Sequence, residues 1–145
     1  MIPAIRLYSD DQGISHVEHG HLRMNGEDDG DLLSAATAAT AISFRETDTI
    51  GKEMWHTAPH RQFVITLSGE LDFTTRDGDM FHLRPGVVLL AEDTTGSGHG
   101  WLLTGYEPWR RIYAILGDGD AGFVPDADAP PRWPTDRPTD EVPTA

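Results

Sequence analysis

Seven histidines, at positions 16, 19, 21, 56, 60, 82 and 99, and the absence of cysteine set the chemistry open to this chain. Disulfides, thiolate nucleophiles and thiolate–metal sites are excluded. A metal ion would have to be held by imidazole, carboxylate, amide or water. His16, His19 and His21 lie close together, as chelating residues on a strand do, but their polar, acidic surroundings read more simply as a solvated edge. His82, Tyr106 and Tyr113 are side chains that give or take a proton in isomerase-type reactions, or else ordinary packing residues. Glu92-Asp93 closes an apolar run, so one carboxylate could be partly buried. It would then orient a histidine or act as a base with a raised pKa. The alternative is a loop that hydrogen-bonds its own amides through Asp93 and Thr94. Gly96-Ser97-Gly98 lacks the lysine and following helix of a phosphate loop.

The elements that must position these groups read as strands. Residues 41–44, 62–67, 70–75, 80–83, 87–91, 100–104 and 109–116 are short runs rich in β-branched, aromatic or apolar residues. They are punctuated by Ser68-Gly69, Asp77-Gly78 and Pro85-Gly86. None holds a 3.6-residue period over three turns. Seven such strands with regular turns indicate an all-β sandwich or barrel. On the strand from Gln62, alternation puts Gln62, Val64 and Thr66 on the inner face and Phe63, Ile65 and Leu67 on the outer one.

Three zones divide the 145 residues, which are short enough for a single domain. Residues 1–40 hold a short apolar start, a polar segment and an acidic loop, and are expected to form N-terminal strands that cover the barrel or reach a partner. Within them residues 32–39 could be a short helix or an extended arm. Residues 41–116 are the barrel. Residues 117–145 carry six of the ten prolines and seven acids against two arginines, and read as an extended tail or as an arm anchored by Phe123 and Trp133.

The chain has 24 acidic and 11 basic residues, a net charge of −13. That surface repels nucleic acid and anionic membranes, so neither is an expected partner. No stretch is long and apolar enough to span a bilayer. The start, Met1-Ile2-Pro3-Ala4-Ile5-Arg6, lacks the regions of a secretory signal, and a cytoplasmic protein is expected.

The segment from His56 to Gly69 resembles the first motif of the cupin superfamily. With Gly69 as anchor, Gln62 falls where that motif has Glu, His56 where it has its first His, and Ala58 where it has its second. Arg84-Pro85-Gly86 and the following apolar strand fit the turn and strand of the second motif, and His99 stands where its His belongs. Gln62, Leu67-Ser68-Gly69, Glu92 to Gly96 and His99, with Arg6 to Asp10 and Ser15-His16, are similar to a largely uncharacterised group of small single-domain bacterial cupins. The resemblance covers about two thirds of the chain. It implies a cupin-type double-stranded β-helix, or jelly-roll β-barrel, and commonly a homodimer, for which the outward Phe63, Ile65 and Leu67 supply apolar surface.

What it implies for the site is a small organic molecule held in the barrel. By parity His56, Ala58 and His60 could share the inner face, so that His60 replaces the missing second His. The implied metal ligands are then His56, His60, Gln62 and His99, for one divalent transition metal (Fe, Mn, Ni, Zn or Cu). The change from Glu to Gln removes a negative charge and lowers affinity for a cation. Three functions stay open: a metal-dependent oxygenase, isomerase or lyase; a metal-free isomerase, epimerase or cyclase, with His99, Glu92 and Tyr106 as catalytic groups; and a non-catalytic module for a small ligand. Trp55 and Trp101 flank the candidate ligands as core or interface residues.

Overall fold

The computed structural model describes residues 1–48 and 51–127. Among them the chain is all-β, with no helix and therefore none long and apolar enough to cross a membrane. Thirteen strands run in chain order: β1 (Pro3–Ser9), β2 (Ser15–Leu22), β3 (Gly26–Asp28), β4 (Asp31–Leu33), β5 (Ala39–Thr47), β6 (Lys52–His56), β7 (Gln62–Ser68), β8 (Glu70–Thr75), β9 (Met80–Leu83), β10 (Val88–Glu92), β11 (His99–Thr104), β12 (Trp109–Leu116) and β13 (Phe123–Pro125). They form a seven-stranded sheet in the order β13-β2-β1-β10-β7-β12-β5, a four-stranded sheet in the order β6-β11-β8-β9, and a hairpin of β3 and β4. Among the described residues only β1 and β10 pair in parallel, and every other pairing is antiparallel.

The two larger sheets pack face to face. Ile5, Leu7, Val64 and Leu89 of the first meet Phe73, Phe81, Leu83, Trp101 and Leu103 of the second in one buried cluster. Phe73 stacks on Phe81 at 4.7 Å between centroids and meets Trp109 edge-on at 6.1 Å. Each such ring buried in full contributes roughly 1.5–3 kcal/mol. Alternation on β7 runs as the sequence dictates: Gln62, Val64 and Thr66 are buried, Phe63 and Ile65 half-buried, and Leu67 exposed. Gly69 makes the tight turn into β8 at φ +91°, where a Cβ would run into the backbone of Pro108 and Trp109.

The structure details the N-terminal zone. The polar segment after Gly13 is a regular strand, β2. The acidic loop folds into the β3–β4 hairpin because Asp29-Gly30 takes positive φ at both turn positions, the two-residue turn that an Asp-Gly pair favours. Residues 32–39 are not a helix. Of the N-terminal strands, β1 lies inside the large sheet between β2 and β10. Phe123 does anchor the start of the tail, but on β2 of its own chain. Trp133 lies outside the described residues.

The face of the large sheet turned away from the core carries two apolar rows across four strands. One runs Phe44–Ile112–Ile65–Val88 and the other Ile42–Ala114–Phe63–Leu90. At the edge strand β5 this face is open, with Phe44 71% and Ile42 63% exposed.

Candidate functional site

A cavity of about 490 Å³ opens between the two sheets. The large sheet gives it Ser43 and Arg45 from β5, Gln62 and Val64 from β7, and Trp109 and Tyr113 from β12. The small sheet gives it Glu53, His56, Phe73, His99 and Trp101, and the 57–60 loop closes one side with His60 at the rim. His56, His60, Gln62 and His99 therefore all face one space, although 43 positions separate the first from the last.

A bulge in β6 shapes the small-sheet wall. His56 pairs with His99 and Glu53 with Trp101, so Met54 and Trp55 together stand opposite Gly100. The extra residue resets the alternation, so that Glu53 and His56, three positions apart, both line the cavity. Trp55 takes the strain at φ +55°, and Arg76 lies 4.5 Å from its ring centroid. Gly100 admits the bulge, since a Cβ there would press on Glu53 and Met54.

The register of β6 on β11 sets the two imidazoles side by side, with centroids 4.5 Å apart and ring planes at 60°. Behind His99 stands Asp93. Its Oδ2 lies 2.5 Å from His99 Nδ1, Asp93 is fully buried and His99 is 5% exposed. A carboxylate oxygen accepts, so Nδ1 carries the hydrogen and Nε2 is left as the basic nitrogen. Ser15 also donates to Asp93 Oδ2, at 3.3 Å, and Asp93 O accepts from the Ala58 amide at 3.0 Å. Asp93 thereby joins the His56–His60 loop to the start of β11. Burial, and next the repulsion the two rings would meet if both were protonated, hold the His56 pKa below its ordinary 6.5, so this ring is neutral at neutral pH.

Glu92, expected as a catalytic group, is not at this cavity. Leu89 and Ala91 of β10 face the core, so period two turns Glu92 to the other side. There Arg6 Nε and Arg61 Nε bind it at 2.5 and 2.6 Å. Burial alone would raise its pKa; the hydrogen bonds and charge of the two arginines outweigh this and hold it below its ordinary 4.5, opposite to what a base near neutrality requires. Tyr106 also lies elsewhere, 97% exposed in the turn between β11 and β12. The phenol that does line the cavity is Tyr113. His82 is bound by Asp72 at 2.9 Å and is not among the lining residues, while His16 and His21 pair with Asp10 and Asp126.

Asp93 is one of the two carboxylates that the sequence offers as a histidine's partner, and the phase of β10 at its last residue decides which of the two turns inward. Arg45 and Arg111 carry no local signal, because only the pairing of β5 with β12 brings them together. No protein-family model matches the chain, and no curated protein matches it.

Proposed function

We propose that this chain is a cupin-type jelly roll that binds a small organic molecule between its sheets, and that His99 removes a proton from that molecule. The observation that carries this reading is the buried Asp93–His99 pair, whose free nitrogen is the basic one, beside the neutral ring of His56. Asp93 holds the tautomer and stabilises the imidazolium formed when His99 takes the proton. His56 cannot share that charge at 4.5 Å without repulsion, so it serves as a neutral hydrogen-bonding group. The cupin part rests on the motif positions of Gln62, Gly69, Pro85-Gly86 and His99, and on two sheets enclosing a cavity.

The resemblance also implies a divalent metal. Its donors here would be two imidazoles, an amide at Gln62 and His60 at the rim. Among the described residues no three His, Asp or Glu side chains gather as a metal centre, and Gln62 supplies no charge. Two inner imidazoles, one rim imidazole and a neutral amide do not fit a tightly held transition metal. One observation keeps a metal as the second reading: a carboxylate behind His99 Nδ1 is also how metal-bound imidazoles are oriented.

Solvent-deuterium exchange into a panel of small carbon acids, followed by proton NMR in the presence of chelator, tests the proposal. Exchange that His99→Ala abolishes supports it. Exchange that appears only on adding stoichiometric metal supports the second reading instead.

The reading extends to a homodimer. A second copy is the occupant that suits β5, which among the described residues is an edge strand with unpaired backbone along nine residues and continues the two apolar rows with Ile42 and Phe44.

A further inference from the structure

Arg45 and Arg111 stand directly opposite each other across the β5–β12 ladder. Like charges so placed repel, and a chain with more than twice as many acids as bases has ample means to neutralise them. It does not. Arg111 is 3% exposed, and among the described residues its guanidinium is bonded only to neutral acceptors: Thr47 Oγ1 at 2.7 Å, the Trp109 carbonyl at 3.0 Å and Tyr113 Oη at 3.0 Å. It lies 3.6 Å from the Trp109 ring centroid. Arg45 sits 5.4 Å from the Tyr113 ring centroid. Among the described residues neither guanidinium has a carboxylate within ion-pair distance. Glu53, the one carboxylate among the described residues that lines the cavity, belongs to the other sheet; it lies 3.7 Å from His56 and acts on Arg111 through space alone, after the closer groups.

A buried cation without a counter-ion is costly, and π faces offset only part of that cost. Here the two cations flank Tyr113 at the cavity wall. Because the Tyr113 oxygen accepts from Arg111, its own hydrogen is free to point at a bound group. Arg45 and Ser43 line the same wall. The remaining walls are the flat faces and edges of Phe73, Trp101 and Trp109, with Trp101 and Trp109 5.0 Å apart.

We infer that the cavity selects a small, flat, aromatic or unsaturated carboxylate, whose negative charge lies at Arg45 and Tyr113 and whose body packs on Phe73 and the two tryptophans. The inference rests on the proposed binding role of this cavity and names the class of molecule it takes. A single accessible guanidinium and one phenol suit a monoanion, and the carboxylate completes the neutralisation that the protein leaves undone.

The test compares three probes that share one body: phenylacetate, 2-phenylethanol and phenethylamine. Binding to the full-length protein is followed by tryptophan fluorescence and calorimetry. Phenylacetate is expected to bind at least tenfold more tightly than either analogue. Arg45→Ala, a change at an exposed position, is expected to weaken phenylacetate about five- to tenfold while leaving 2-phenylethanol within twofold. Equal affinity for the acid, alcohol and amine overturns the assignment, as does an Arg45→Ala effect equal for all three; either leaves the cavity's binding role intact. No binding by any of the three also overturns the assignment, while deuterium exchange at His99 decides the broader reading independently.

Discussion

His99 donates its Nδ1 hydrogen to Asp93 Oδ2 across 2.5 Å, in a setting where neither side chain has appreciable contact with solvent. Removing either partner strands a polar group. Asp93→Ala should cost about 1–3 kcal/mol of stability in urea unfolding. Asp93→Asn, which keeps an acceptor but not the charge, should cost less and yet slow proton abstraction by about 10²–10⁴-fold. A D93N variant with unchanged exchange rates would separate Asp93 from the chemistry.

His56 gives the protein an acid-side dependence near neutrality. Above the ordinary value of 6.5 the ring is neutral in both folded and unfolded chains. As pH falls below 6.5 the unfolded chain takes the proton first, so the folded state loses stability until its own, lower pKa is reached. Urea midpoints at pH 7.5 and 5.5 should therefore differ more for the wild type than for His56→Asn. An identical pH dependence in the two proteins would contradict the depressed value.

Glu92 is expected to act on stability alone. Its clamp by Arg6 and Arg61 is partly exposed, so Glu92→Gln should cost about 1–2 kcal/mol. Its lowered pKa means that the wild type's advantage is present above pH 4.5 and disappears as pH falls through the folded value. Affinity for a cavity ligand should stay within twofold. A large loss of binding in the variant would return Glu92 to the site.

The loop carrying Asp93 toward His99 leans on the N-terminal turn. Ser97 N donates to Gly13 O at 2.7 Å, and Ser9 Oγ donates to Thr95 O at 2.7 Å. Gly96, at φ +88°, brings its Cα against the Gly13 backbone with no room for a Cβ. Gly96→Ala should cost at least about 2 kcal/mol and should weaken ligand binding in proportion to the disturbed Asp93. A thermal midpoint equal to wild type would show that the close approach is dispensable.

In the proposed dimer, Phe44→Glu with Ile42→Lys should convert a dimer to a monomer in sedimentation velocity without loss of β-structure. A wild-type protein that sediments as a monomer at 100-micromolar order would remove β5 as an interface.

The strands of the core were legible because their signal is local. Alternation from Gln62 to Leu67 and the turn at Gly69 fix β7 and its inward face without reference to any other segment. The cavity's two-histidine wall was harder to read, because it depends on a bulge at Met54-Trp55 that exists only where Gly100 of another strand makes room. Period two separates Glu92 from Asp93, but the sequence alone does not mark where β10 ends. Arg45 and Arg111 have no local pattern at all; their meaning comes from a register between strands more than sixty residues apart.

In the proposed function His99 presents its Nε2 lone pair to the ligand cavity because Asp93 holds its Nδ1 hydrogen. Long-range nitrogen–proton correlation spectra of histidine-labelled protein at pH 7.5, recorded with and without phenylacetate, read that tautomer. His99 is expected as the Nδ1–H tautomer, Asp93→Ala is expected to release it from that form, and the His99 and His56 resonances are expected to move together as ligand is added. An Nε2–H tautomer at His99, or histidine signals at 56 and 99 indifferent to every carboxylate and carbon acid tried, would contradict the proposed role of His99.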